Sequence, residues 1–194
     1  MSTYNSENLR YIFNFLYHGI RFQNHLEKLE SIFQDKAILA GNYQKNYSSY
    51  SDNCNEGEYI SLLSTDGHYN LEYETFIMPN ITLVVSPECG AIKTIYLPYK
   101  EWEKVKKKNQ SQRYSYAHNE YQVKQIIPLS MVKAIGIPIR YLKTTNQEEL
   151  INTYLNDIQE LMTKYNITLP LVDTSAYNIP ITIKENYITK KKIK

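Results

Sequence analysis

The pattern of apolar and polar positions predicts two amphipathic helices. In "FQNHLEKLESIFQDKAILAG" apolar residues recur at helical spacing, with Asn24 to cap the start and Gly41 after the end. This helix should run for about three turns. The same periodicity in "NQEELINTYLNDIQELMTKYN" predicts a helix over Glu148–Lys164. We expect its apolar stripe to pack against the rest of the domain: Leu150, Ile151, Tyr154, Leu155, Ile158, Leu161 and Met162.

Short apolar or alternating runs predict strands elsewhere. These runs are "FLYHGI", "YISLL", "ITLVVS", "EYQVKQIIP" and, as a strand or a turn into one, "MVKAIGIPI". Between them "NYQKNYSSYSDNCNEGE" is a long polar loop, of a length often used as a functional lid. Because helices do not regularly separate the strands, we expect an α+β domain with a mostly antiparallel core.

Composition changes this picture little. The 194 residues suffice for one domain, and a net charge of +2 does not by itself indicate nucleic-acid binding. Cys54 and Cys89 have no Cys or His at metal-ligand spacing, so we expect no metal. No apolar run has the length of a membrane span, and the first ten residues have no signal-peptide core. We therefore expect a soluble protein made in the cytoplasm.

Three residues lie at predicted strand edges beside polar segments. His18 ends the first strand, Tyr59 opens the strand after the long loop, and Glu120 opens a late strand. Catalytic groups concentrate at such junctions. Taken singly, each residue is more simply a structural or solvated side chain. Their order along the chain is what makes the set informative.

That order resembles the ADP-ribosyltransferase superfamily, in its poly-ADP-ribose polymerase-like His-Tyr-Glu branch. "LYHGIRFQNHLEKLESIFQDKAIL" resembles the family's first strand, which ends in His-Gly and is followed by a helix. "GEYISLLS" resembles its Gly-x-Tyr strand, and "HNEYQVKQIIPLSMVKAIGIP" resembles the strand that carries the catalytic glutamate. The resemblance spans roughly residues 14 to 140. Each of the three motifs is weak alone.

The resemblance implies a fold of split antiparallel β-sheets flanked by helices. Residues 1–145 would form the catalytic core and residues 146–194 a C-terminal extension packed on the same domain. It also implies NAD as co-substrate. We expect one NAD-sized cleft lined by His18, Gly19, Tyr59 and Glu120, with the His18 and Glu120 side chains on one face of the sheet and pointing into the same cavity. His18 would bond a ribose hydroxyl, Gly19 would pair its backbone with the nicotinamide carboxamide, and Tyr59 would stack on the nicotinamide ring.

Four further positions receive roles from the resemblance. Glu120 would bind the nicotinamide ribose and stabilise positive charge at its anomeric carbon. Ser61 or Ser64 would bond the carboxamide, and the spacing does not choose between them. Arg21 would reach the NAD pyrophosphate as a bidentate donor.

The activity implied is transfer of a single ADP-ribose to a macromolecule, with a protein favoured over a nucleic acid as the acceptor. His118 stands where branches that modify Arg, Asn, Gln or Cys carry Glu or Gln, which disfavours those acceptors. An activity of this kind is typical of a bacterial toxin or effector that is delivered into a host cell. Three alternatives stay open: a catalytically inactive relative that binds a partner, an RNA 2′-phosphotransferase relative, and an unrelated α+β binding domain.

Overall fold

The computed structural model describes residues 15–20, 25–43, 57–64, 80–105, 113–174 and 179–180. Within them lie four helices: α1 (His25–Asp35), α2 (Tyr99–Val105), α3 (Ile139–Thr144) and α4 (Glu149–Lys164). The strands are β1 (Leu16–Ile20), β2 (Ala37–Leu39), β3 (Tyr59–Ser64), β4 (Ile81–Val85), β5 (Ile92–Lys93), β6 (Ile95–Tyr96), β7 (Tyr114–Ser115), β8 (Glu120–Lys124), β9 (Ile126–Pro128), β10 (Val132–Ile137), β11 (Leu171–Asp173) and β12 (Ile179–Pro180). Arg21, Asn24, Cys54 and most of the long polar loop lie outside the described residues.

Eight of the strands form one sheet, in the order β12-β11-β10-β4-β1-β3-β8-β5. Every neighbouring pair in it is antiparallel except β10 and β11. All five residues of β4, "ITLVV", are buried, as expected for a central strand covered on both faces. The predicted α+β class, with a mostly antiparallel sheet flanked by helices, is confirmed.

The two faces of the sheet carry apolar clusters of different size. The larger cluster joins α1 and α4 to one face of β1, β3, β4 and β10. The smaller one, on the other face, contains Phe15, Tyr17, Val84, Ala134 and Val172, with Leu63 at its border. Helices thus cover one face of the sheet near its centre, and the thinner cluster on the other face borders the polar residues described below.

The first predicted helix has the expected length of about three turns, but it ends before the position that Gly41 suggested. It ends at Asp35, Lys36 takes the left-handed conformation at φ 52°, and "AIL" forms β2, which pairs with β9. A continuous apolar run fits a buried strand as well as a helix, and Ala37 and Ile38 are buried here through pairing rather than through helical packing. The sequence pattern predicts that the helix ends just before Gly41. In the structure Gly41 lies beyond β2 and does not cap the helix.

The C-terminal helix α4 packs as predicted. Its stripe faces the larger cluster, with Ile151, Tyr154, Leu155 and Ile158 buried and the remaining apolar residues half-buried against them. The Lys164 ammonium lies 2.5 Å from a carboxylate oxygen of Glu30 and so links the end of α4 to the middle of α1. Beyond it, β11 adds to the sheet alongside β10. No helix among the described residues is long and apolar enough to span a membrane.

We predict that Leu155→Asp lowers the free energy of unfolding by several kcal/mol. Truncating a buried Leu typically costs about 2–5 kcal/mol, and a buried carboxylate adds a desolvation penalty. Asn156→Asp, on the exposed side of the same helix, is the matched control and should leave stability nearly unchanged. Urea denaturation of both variants measures the difference. Equal stability of the two would show that the stripe does not contribute to the core.

Candidate active site

The site begins where two neighbouring strands separate. β1 pairs with β4 along its whole length but with β3 only at Leu16 and Tyr17. Past Tyr17 the ladder to β3 ends, and His18 and the exposed Gly19 lie at this opening. Across it, Nδ1 of His18 lies 3.0 Å from the carbonyl oxygen of Ser61. A side-chain contact thus replaces the backbone ladder at the predicted His-Gly strand end.

The contact to Ser61 fixes the chemical state of His18. A carbonyl oxygen only accepts, so Nδ1 carries a proton and donates it, which leaves Nε2 of the neutral ring as an acceptor. Burial lowers the pKa of His18, the Ser61 hydrogen bond opposes that shift, and the positive charge of Lys28 adds to it. At neutral pH the ring therefore presents an acceptor for a hydroxyl group.

Glu120 receives hydrogen bonds from three side chains. The Ser61 hydroxyl donates to Oε1 at 2.5 Å, and Nε2 of Gln122 donates to the same oxygen at 3.1 Å. The Ser115 hydroxyl donates to Oε2. The backbone is held as well, since both the amide and the hydroxyl of Thr94 donate to the Glu120 carbonyl at 3.0 Å. We call Ser61, Ser115 and Gln122 the carboxylate clamp.

Strand pairing decides which candidate side chains share a face. In the β3–β8 ladder Leu63 pairs with Glu120 and Ser61 with Gln122. Because side chains alternate along a strand, Tyr59 and Ser61 lie on the face of Glu120. Ser64, which is buried, lies on the opposite face. Of the two serines, the structure therefore brings Ser61 to Glu120 and does not bring Ser64.

His18 does not share that face. Tyr17 pairs with Leu63, which is on the Glu120 side, so alternation assigns His18 to the other side of the sheet. The expectation that His18 and Glu120 project from one face is therefore wrong. What joins them is Ser61, whose carbonyl meets His18 and whose hydroxyl meets Glu120, at the point where the sheet is open.

Tyr59 already has a cation on its ring. The guanidinium carbon of Arg113 lies 3.2 Å from the ring centroid, a close cation–π contact. Arg113 is two residues from Ser115 of the clamp, so its side chain belongs to the same neighbourhood. A planar ligand must use the other face of Tyr59 or displace Arg113.

Sequence reasoning missed Arg113, Ser115 and Gln122. A signal for Gln122 was available, because it lies two residues after Glu120 in an alternating strand and must share its face. Ser115 and Arg113 gave no such signal. Their placement depends on the pairing of β7 with β6, in a small sheet separate from the one that contains β8.

That segment carries an aromatic surface next to Glu120. The His118 ring stacks on Tyr96, with centroids 3.6 Å apart and planes at 15°. Tyr116 packs edge-on against the Trp102 ring at 5.0 Å, and the Trp102 indole N–H donates to the Tyr114 carbonyl at 3.1 Å. These contacts anchor the segment to α2. The His118 side chain is exposed.

Comparisons with known proteins find a similar solved structure but no similar sequence family. A solved structure similar to this chain is that of Thermus sp. 2.9 DarT in complex with NAD+. The match covers 84% of this chain and 98% of that one, at 11% sequence identity and a TM-score of 0.45. No protein-family model matches the chain, and no curated protein matches it.

Metal binding receives no support from the side chains that are described. Within those ranges, no group of three or more His, Cys, Asp and Glu residues is arranged to hold an ion.

We predict that His18 is the Nδ1-protonated tautomer and titrates below a histidine in a model peptide. Two-dimensional ¹⁵N–¹H NMR of labelled protein reports both the tautomer and the titration midpoint. Protonation would place a positive charge on a buried ring that water cannot solvate. The pKa of His18 should therefore lie below that of a histidine in a peptide. An Nε2-protonated ring, or a midpoint above the peptide value, would contradict the assignment.

The same shift has a consequence for stability. Above the ordinary histidine pKa neither the folded nor the unfolded chain is protonated at His18. As pH falls from that value toward the lower folded pKa, only the unfolded chain binds the proton, so stability is lost. His18→Gln should show a smaller loss than wild type between pH 7 and pH 5, measured by urea denaturation.

Proposed function

We propose that this protein is an NAD-dependent mono-ADP-ribosyltransferase. The observation that carries the proposal is the clamped Glu120 carboxylate, connected through Ser61 to His18 at the opening between β1 and β3. The His-Gly, Tyr and Glu motifs of the sequence support the same assignment. NAD is the co-substrate in this proposal.

The reaction breaks the bond between C1′ of the nicotinamide ribose and the nicotinamide nitrogen. The electron pair of that bond leaves with nicotinamide, and the nucleophile of the acceptor forms a new bond to C1′ as it loses a proton. The sugar passes through an oxocarbenium-like state, as in glycoside hydrolysis. Glu120 suits this task because its clamp partners are neutral hydroxyl and amide groups, which orient the carboxylate without neutralising its negative charge.

The other residues receive binding roles. Nε2 of His18 is proposed to accept a hydrogen bond from a ribose hydroxyl, and the exposed backbone of Gly19 to pair with the carboxamide. Tyr59 is proposed to stack on nicotinamide. The Ser61 hydroxyl donates to Glu120, so the carboxamide depends on Gly19 in this proposal rather than on Ser61 or Ser64. Arg21 keeps its proposed role at the pyrophosphate.

The acceptor is proposed to be a protein that receives a single ADP-ribose. The segment before Glu120, with His118 stacked on Tyr96, borders the carboxylate and is where an acceptor would approach. A role as a bacterial toxin or effector, delivered into a host cell, belongs to the same proposal. One observation favours a second candidate, a catalytically inactive binding module: Arg113 covers a face of Tyr59, where nicotinamide is proposed to stack.

We predict that Glu120→Gln lowers nicotinamide release at saturating NAD by on the order of 100- to 1000-fold. Gln keeps the size of the side chain and can bond a hydroxyl, but it lacks the charge that acts in the transition state. Glu160→Gln, an exposed position on α4, is the control and should match wild type. Turnover of Glu120→Gln within a few-fold of wild type would remove the main support for an enzyme. A wild-type chain without turnover would favour the binding module.

We predict a different result for Tyr59→Ala. Stacking acts on bound NAD before as well as during the reaction, so its loss should raise KM more than it lowers kcat. Initial rates of nicotinamide release across NAD concentrations separate the two parameters, and thermal melting checks the fold. An unchanged KM would show that nicotinamide does not use the Tyr59 ring.

A further inference from the structure

The two oxygens of the Glu120 carboxylate are unequally occupied. A carboxylate oxygen has two lone pairs, and Oε1 accepts from both Ser61 and Gln122. Oε2 accepts only from Ser115 among the described residues, which leaves its second lone pair without a donor from that part of the chain. The terminal torsion of a Glu side chain is broad when nothing holds it. The clamp therefore selects which oxygen, and which lone pair, is offered to a substrate.

Ser115 is prepared for this contact before any ligand arrives. Its side chain is buried, and its oxygen accepts from the amide of Ala117 at 3.0 Å. With that lone pair used, the hydroxyl proton is directed to Oε2 of Glu120. The Ser115 carbonyl in turn accepts from the amide of Leu97 at 2.8 Å, which ties β7 to the chain beyond β6.

Gln122 is oriented by Glu120 at a cost to itself. An ionised carboxylate only accepts, so the amide must present Nε2 to it, and the opposite flip would place two acceptors together. Oε1 is then directed elsewhere, and it is buried without a hydrogen-bond partner among the described residues. Such an orphaned acceptor is unfavourable for folding. An apolar side chain at this position would avoid the unpaired buried oxygen. What Gln122 offers in return for that cost is its hydrogen bond to Glu120.

We propose that Ser115 and Gln122 are positioning residues that hold the Glu120 carboxylate with the open lone pair of Oε2 toward the ribose of NAD. This rests on the proposed function. Without either donor the carboxylate turns away from the developing positive charge. The loss falls on the transition state, so turnover decreases while NAD binding is largely kept.

Gln122→Met tests the proposal most sharply. Met has similar length, has no donor and removes the orphaned acceptor, so stability should be kept or increased while kcat falls about 10- to 100-fold. KM for NAD should change less than about two-fold. Gln159→Met on α4 is the matched control and should leave kcat and KM unchanged. Nicotinamide release and thermal melting of the full chain give all three readouts.

Ser115→Ala provides an independent test, made both in the wild-type chain and in the Glu120→Gln variant. In the wild-type chain it should lower kcat about 10-fold or more. In Glu120→Gln it should add less than about a two-fold change, because a residue that acts through Glu120 has nothing left to position. A full second loss there would instead indicate a general structural role.

The outcomes separate this inference from the proposed function. If wild type turns over NAD and Glu120→Gln does not, yet Gln122→Met keeps its kcat, the positioning role is overturned and the enzyme stands. If Gln122→Met loses kcat only in step with its melting temperature, the role is structural and the inference is likewise overturned. If wild type releases no nicotinamide, both proposals fall together.

Discussion

The separation of β1 from β3 after Tyr17 is the constraint on which the candidate site depends. β1 stays paired along its whole length with β4, whose five residues are all buried, while its ladder to β3 ends at Tyr17. Ser61 lies on β3 at the resulting opening. Its carbonyl holds His18 and its hydroxyl holds Glu120, so one residue joins groups that strand alternation places on opposite faces. The opening therefore follows from the way β1 pairs with its two neighbouring strands.

The two faces of the sheet around this opening carry apolar clusters of different size. Helices α1 and α4 close the larger apolar cluster on one face, and the hydrogen-bonded clamp lies on the other face near the smaller cluster. Ser115 and Gln122 are nearly as buried as the apolar core. Burial of polar groups is tolerated where they are hydrogen-bonded, and here their bonds converge on one carboxylate. Rigid packing and a polar site therefore coexist within one layer.

The segment that precedes Glu120 has a different character. Between β7 and Glu120 the chain is short, and aromatic contacts with Tyr96 and Trp102 hold it in place. Arg113, at the start of the same segment, lies over Tyr59 on β3. One segment thus connects three parts of the candidate site: the clamp through Ser115, the Tyr59 ring through Arg113, and the exposed His118. A ligand that moves Arg113 acts on the segment that also carries Ser115.

Local pattern was enough to predict the fold class, the packing stripe of α4 and the three motif strands. Each of these follows from periodicity within about twenty residues or fewer, where side-chain spacing directly reports the buried face. The same reasoning placed the end of α1 too close to Gly41, because "AILA" suits a helix and a buried strand equally well. Ser61 and Glu120 are 59 residues apart, and the Ser61 contact with His18 spans 43. Pairing between distant strands decides which face each side chain takes, so only the tertiary structure could select Ser61 over Ser64, bring Ser115 to Glu120, and separate His18 from its expected face.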